Sequence, residues 1–559
     1  MSRRANRLTI KNKTLKKLII GILIAIIALI AIIVVGNNIP EKQPEGINLV
    51  INNNNVTERL KQDIKIEDNV IYISMEDVKN FFDKYIYQDE NTGKIVTTYE
   101  KKIASLELGN ETIEINGAEK TIYAPAKEEN GTIYLPISEM EDVYNVEINN
   151  IQETNIITMD SLDREQIKAY TTKDVKINGK ARSLFSGKVE TVEKGNWVIY
   201  ITETEKGWAK VRTQDGKIGY VKPNKLTNFV TEREEMQEEK QIEGKVNLVW
   251  DYFSEHATAP DRSGETIDGV NVVSPSFFYI DTEGQFNENV GDEGVRYIEW
   301  AHSNGYKVWP MVSNSGAGID TTSQLINDYN ARQELIENIV NMCMQYDLDG
   351  INMDFENMYQ DDKDAYSRLL IELVPRLKEI GLVTSVDVTA PDGSETWSLC
   401  FDRHVLGDVA DYIMFMAYDQ YGTSSTKAGT TAGFNWVETN LKKFLETEEI
   451  ESNKIVLGVP FYTRLWTEQN GEVVSKTVNM NSVDEVLPSD VARNWDDNLK
   501  QDYAEYTEGN AVKKMWIEDL RSIEAKVSLV KQYNLGGVAA WEKDRETEGT
   551  WEIIKNAIQ

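Results

Sequence analysis

From residue 246 to the C-terminus, eight short apolar runs alternate with stretches of helical periodicity: 246–250, 270–279, 307–312, 348–356, 383–389, 412–418, 455–460 and 537–541. This alternation specifies parallel β/α units, because parallel strands are joined by helices and buried on both faces. Eight such units fit a TIM barrel, an architecture whose catalytic groups lie at the C-terminal ends of the strands. A long excursion separates the seventh run from the eighth and contains a hairpin-like stretch, 467–478. It is expected to form an insertion that walls one side of a groove.

The fourth run ends in acids: Leu348-Asp349-Gly350-Ile351-Asn352-Met353-Asp354-Phe355-Glu356. Side chains alternate along a strand, so Gly350, Asn352, Asp354 and Glu356 share one face while Ile351, Met353 and Phe355 share the other. A strand with one greasy and one carboxylate-bearing face suits a stave whose tip opens into an active site. Asp349 is out of phase and is assigned a structural role. On pattern alone, a solvated edge or a metal-ligand pair would account for Asp354 and Glu356 equally well.

Length and composition bound the rest. A chain of 559 residues has material for several domains, and its net charge of −32 speaks against nucleic acid as a partner. The two cysteines, Cys343 and Cys400, read as core thiols rather than a bridge. His256, His302 and His404 have no ligand spacing, so no histidine metal site is expected. Residues 1–17 form a basic tail carrying Arg3, Arg4, Arg7, Lys11, Lys13, Lys16 and Lys17 without an acid. Residues 18–36 are an uncharged, mostly aliphatic segment long enough to span a bilayer. Positive flanks stay cytoplasmic, so the expectation is a single-pass protein of the cell membrane with its N-terminus inside and everything else outside. A cleaved signal peptide is the competing reading. The apolar run is long for one, and Val34-Val35-Gly36 is a poor cleavage site.

After a polar linker at 37–46, residues 47–160 contain an internal echo. The stretch 69–78 is answered by 131–140, each copy a β-rich run leading into a serine-started, acid-led helix. This region resembles the stalk-type domain named after the N-terminal part of copper amine oxidases. It contains no histidine, so a spacer or wall-contact role is expected rather than copper binding. Residues 164–227 change to short alternating strands with a hairpin signal at Asp215-Gly216, and they resemble bacterial Src-homology-3-like domains. Residues 228–245 read as an acid-rich helical or disordered linker.

With the eight-unit context in place, the carboxylate strand resembles the signature of glycoside hydrolase family 18, the chitinase-like family, across residues 246–559. Three further stretches match in order: Met416-Ala417-Tyr418-Asp419, Leu457-Gly458-Val459-Pro460-Phe461-Tyr462 and Gly536-Gly537-Val538-Ala539-Ala540-Trp541. The resemblance implies substrate-assisted hydrolysis with no cofactor and no metal. Glu356 would be the acid. Asp354 would orient the substrate acetamido group and stabilise the charged intermediate. Tyr418 would hydrogen-bond the acetamido oxygen, Asp419 would contact the sugar, Trp541 would be the floor on which the ring stacks, and Asn352 and Met416 would complete the substrate-binding set. Two departures resemble the spore-cortex and cell-wall branch of the family. Asn352 replaces a usual aspartate, and strand three ends Val312-Ser313-Asn314-Ser315-Gly316 without the usual serine–glycine–glycine. The implied activity is cleavage of β-1,4 bonds at N-acetylglucosamine in peptidoglycan or spore-cortex glycan. The rivals are a chitinase or chitooligosaccharide hydrolase and, from a different class, a non-catalytic wall-glycan binding protein.

Overall fold

The computed structural model describes residues 2–42, 44–236 and 242–559, with the backbone alone for 2–14. The side chains of Arg3, Arg4, Arg7, Lys11 and Lys13 lie outside the described residues. So does the middle of the expected 228–245 linker, residues 237–241. Contacts divide the chain into two units, one ending near residue 238 and the other holding the C-terminal part.

In the C-terminal unit the eight apolar runs form strands β1 (Val246–Asp251), β2 (Val272–Pro275, continued by Phe278–Ile280), β3 (Lys307–Val308, continued by Met311–Ser313), β4 (Gly350–Asp354), β5 (Val383–Thr389), β6 (Tyr412–Met416), β7 (Ile455–Pro460) and β8 (Gly537–Trp541). Each pairs in parallel with the next, and β8 also pairs with β1, Val246 opposite Gly537, so the sheet closes on itself. Its interior is filled by Val246, Leu248, Trp250, Val272, Trp309, Met311, Met414, Val456 and Ala539. The opposite faces, including Ile351, Met353 and Phe355, pack beneath the helices.

Three boundaries differ from the sequence expectation. Strand three is broken at Pro310, which has no N–H to contribute to a ladder. Strand four stops at Asp354 rather than Glu356, because its partner ends at Ser313, the residue opposite Asp354. Strand six stops at Met416, short of Tyr418. The insertion after β7 is larger than a hairpin. Tyr462–Gln469 and Glu472–Asn479 turn at Asn470-Gly471, both with positive φ as a tight turn of this kind requires, and join a five-stranded antiparallel sheet.

Gly350 is held to glycine by close approach. A Cβ there would sit 2.5 Å from the Val383 carbonyl oxygen and 2.8 Å from Trp309 Cδ1. Gly350→Ala is therefore expected to destabilise the barrel by about 1–3 kcal/mol, since a neighbouring backbone atom must move. A lower urea midpoint of the tryptophan-fluorescence transition checks this.

In the N-terminal unit, one helix, Ser2–Asn38, contains a segment, Leu15–Asn38, long and apolar enough to cross a membrane, its most apolar 18 residues having a mean hydropathy of 3.6. The helix thus enters the expected 37–46 linker. The two echo copies pair with each other, Tyr134 opposite Ser74 and Pro136 opposite Tyr72, inside a four-stranded sheet. Ser74 caps the expected helix, Met75–Phe81, by accepting from Asp77 N. The second copy makes only a short turn, Ile137–Glu139, because the Ser138 hydroxyl accepts from Ile71 N across the sheet instead of capping. Asn48–Ile51 runs parallel to Ile156–Ser161 in a separate four-stranded sheet.

The following five-stranded sheet is joined to it by a buried two-pronged pair, Arg212 Nη1 and Nη2 donating to Asp160 at 2.7 and 2.5 Å. The expectation of a linker from residue 228 is corrected. Leu226–Arg233 is a strand paired with Gln166–Thr171, and Phe229 lies edge-on to Tyr200 at 5.3 Å. Its polar, acid-flanked composition is that of a solvated edge strand, which sequence alone does not separate from a linker.

Candidate active site

A cleft of about 280 Å³ opens at the C-terminal ends of β1–β4 and β8. Asp354, Glu356 and Trp541 line it, together with Tyr252, Asn314 and Trp397. Asp354 arrives on the last rung of β4. Its Oδ1 is buried and has no hydrogen-bond partner among the described residues. Burial pushes its carboxyl up to about 6.

Glu356 lies beyond the ladder, so something other than strand pairing must place it. Asn314 does so: its Oδ1 accepts from Glu356 N, its Nδ2 donates to Glu356 O, both at 2.9 Å, and Nδ2 also reaches Thr322 Oγ1 at 3.0 Å. Burial, then the charges of Asp354 and Asp419, push the Glu356 carboxyl well above the usual range. Of the two, the Glu356 carboxyl is the one held further above its usual range, so Asp354 gives up its proton first.

Asn352 sits one rung below Asp354, fully buried inside the barrel. Its Oδ1 accepts from Trp250 Nε1 at 2.7 Å, and its Nδ2 donates to Asp387 Oδ1 at 2.7 Å and Ser385 Oγ at 3.1 Å. Sequence reasoning missed Asp387. It lies on β5, and burial followed by the Asp354 charge raises its carboxyl well above normal. Its run, Val383–Thr389, also carries Thr384, Ser385 and Thr389, so the acid did not stand out from polar neighbours.

Tyr418 and Asp419 follow β6. Burial, then Asp387 and Tyr462, hold the Tyr418 phenol protonated, and Glu356 and Asp354 act on it too. Asp419 is half-exposed and already engaged, its Oδ1 accepting from Tyr462 Oη and from Arg464 Nη2, each at 2.8 Å. Tyr462 and Arg464 belong to the insertion and were not among the sequence candidates. Met416 is buried at the end of β6 and is not part of the cleft lining. Trp541 ends β8, its ring 5.9 Å from Trp250 and 5.8 Å from Tyr252.

Asp349 lies at the other end of β4. It accepts from Lys307 Nζ at 2.7 Å and Val308 N at 3.0 Å and meets His302 Nε2 at 2.9 Å, which fastens β3 to β4. Gly350 lies beside it. Among the described residues no group of three or more histidines, cysteines and acids is placed to hold a metal.

The family model described as Glycosyl hydrolases family 18 matches residues 248–546, and that described as Copper amine oxidase N-terminal domain matches residues 50–159. The chain is 24% identical over 302 residues to the uncharacterized glycosylase YvbX of Bacillus subtilis (strain 168), covering 52% of this chain and 85% of that protein. It is 27% identical over 240 residues to the cortical fragment-lytic enzyme of the same organism, covering 42% of this chain and 55% of that protein. The solved structure of the Bacillus megaterium QM B1551 spore cortex-lytic enzyme SleL superposes with a TM-score of 0.50 at 20% identity, over 62% of this chain and 77% of the other, a likeness of fold.

Proposed function

Because the chain belongs to glycosyl hydrolase family 18 and is a glycosidase of that family, we propose that it is a retaining, substrate-assisted hydrolase of N-acetylglucosamine linkages in peptidoglycan or spore-cortex glycan. The observation that carries the mechanism is the buried Oδ1 of Asp354, without a hydrogen-bond partner among the described residues, in one cleft with a Glu356 carboxyl pushed well above its usual range. Both acids come from one strand end and lie on one side of a bound sugar. The other acids near them are taken up, Asp387 by Asn352 and Asp419 by Tyr462 and Arg464. The nucleophile is then the substrate's own acetamido oxygen.

In this reading Glu356 gives its proton to the leaving glycosidic oxygen as the C1–O bond breaks and the acetamido oxygen bonds to C1. Asp354 accepts from the acetamido N–H and faces the positive charge that forms, while the Tyr418 hydroxyl donates to the acetamido oxygen. Glu356, now ionised, takes a proton from water as the water oxygen attacks C1 and the bond between C1 and the acetamido oxygen breaks, restoring the acetamido group with overall retention. Trp541 carries the apolar face of the sugar. Asn352 and Asp387 set the polarity beneath.

The name of the cortical fragment-lytic relative supports a cell-wall glycan over chitin. So does the apolar helix Leu15–Asn38, which we read as an uncleaved anchor. It would leave a stalk domain at 47–160, a Src-homology-3-like domain at 164–227 and the catalytic barrel at 246–559 outside the membrane. Digestion of purified peptidoglycan and of chitooligosaccharides, with mass spectrometry of the new ends, tests the assignment. Reducing N-acetylglucosamine ends are expected, with the wall glycan cleaved faster. Muramic-type reducing ends, or faster release from chitin, would overturn it.

A further inference from the structure

The chain that follows the apolar helix is tied down. Residues 18–35 at about 1.5 Å per residue span about 27 Å, close to the roughly 30 Å of a hydrocarbon core. With Lys16 and Lys17 at the inner edge, Gly36 and Asn37 fall at the outer one. There, Lys188 N donates to Ile39 O at 2.9 Å and Glu41 N donates to Lys188 O at 3.1 Å. Lys176 Nζ donates to Asn37 O at 2.5 Å and to Ser186 Oγ at 3.1 Å. The Phe185 ring lies on Gly36, where an added Cβ would fall 2.5 Å from a ring carbon. These bonds hold the 180–185 loop level with the end of the helix.

That loop exposes what a water-facing turn ordinarily hides. Leu184 and Phe185 are 52% and 45% exposed side by side, and Lys180 and Arg182 are exposed on the same loop. The turn is built to stay in this shape: Arg182 Nε and Nη2 donate to Phe185 O at 3.0 and 2.6 Å. Behind it, burial and the neighbouring Lys188 and Lys225 press the Lys176 ammonium towards losing its proton, the mark of a local cationic cluster on a chain of net charge −32.

We propose that the 180–185 loop is a second membrane contact, with Leu184 and Phe185 entering the outer lipid interface beside the helix end while Lys180 and Arg182 face lipid phosphates. The occupant is lipid because the apolar pair is continuous with a helix of bilayer length and its cations complement phosphate. The proposal rests on the reading of that helix as an anchor. It makes the small domain sit directly on the membrane, so the stalk starts from a fixed base.

The full chain, reconstituted in vesicles of phosphatidylethanolamine and phosphatidylglycerol, supplies the test. Both native cysteines are buried, so an environment-sensitive fluorophore attaches selectively to Leu184→Cys or, as a control in the helix, to Ile27→Cys. Shallow nitroxide-labelled lipids are expected to quench the Leu184→Cys probe by about half or more. Adding Lys180→Glu and Arg182→Glu should reduce that quenching. Quenching at Ile27→Cys without quenching at Leu184→Cys overturns the loop contact and leaves the anchor standing. Absence of quenching at both overturns the anchor and the loop together. A Leu184→Cys probe that shifts blue with protein concentration in detergent, without lipid quenching, would assign the surface to a second copy and overturn the proposal.

Discussion

Glu356→Gln should lower kcat by about two to four orders of magnitude while leaving the affinity for substrate and the fold in place. The range follows from what a positioned general acid contributes to breaking a bond to a poor leaving group. Glutamine keeps the shape of the side chain and the backbone bonds to Asn314, so what is lost is the proton alone. A substrate with an activated leaving group, such as a 4-nitrophenyl glycoside, needs little help from an acid. Its first step should therefore be far less impaired than that of a natural glycan. Comparing the burst phase of one substrate with steady-state hydrolysis of the other measures the difference. Near-parental turnover on the natural glycan would remove Glu356 from the acid role.

Asp354→Asn should cost about two orders of magnitude in kcat, the loss expected when a preorganised group facing developing charge is neutralised. Its pH signature separates it from a binding defect. In the parent, activity should rise through about pH 6 as Asp354 ionises and fall at higher pH as Glu356 loses its proton. In the variant the acidic limb disappears. The alkaline limb moves to lower pH, because one of the charges holding the Glu356 proton is gone. Stability should move the opposite way to activity. A carboxyl raised in the folded state binds its proton more tightly than in the unfolded chain, so its contribution is present below the unfolded value of about 4 and is lost as pH rises through about 6. The asparagine variant should thus unfold at a higher temperature than the parent at pH 8, with the gap closing near pH 4. A change in KM alone, with both limbs intact, would reduce Asp354 to a binding residue.

The barrel was readable because parallel strands buried on both faces write themselves as uninterrupted apolar runs, and the departures from that rule were the acids of β4. Asp354 and Glu356 stood out as polar residues at alternate positions of such a run. Asn314 and Asp387 did not, since their partners lie on neighbouring strands and nothing local distinguishes an asparagine after β3 that clamps a backbone from one facing water. The same reason hid Tyr462 and Arg464, which reach Asp419 from the insertion. In the N-terminal unit, the echo announced two equivalent halves but not that Ser138 would spend its hydroxyl on Ile71, which shortens the second helix to a turn.

Residues 47–160 and the barrel are each closed by their last strand against their first. Asn48–Ile51 finds its parallel neighbour only in Ile156–Ser161, and Val246 faces Gly537. A chain delivered end-first, whether from a ribosome or through a membrane pore, cannot complete either sheet until nearly all of that stretch has emerged. Pairings so distant in sequence form slowly, because the loop must be closed before any contact rewards it. Newly emerged residues therefore remain unfolded for as long as their partners are still in transit. Under the proposed anchor reading, that delay would suit passage across a bilayer, which admits an extended chain and would be blocked by a finished barrel.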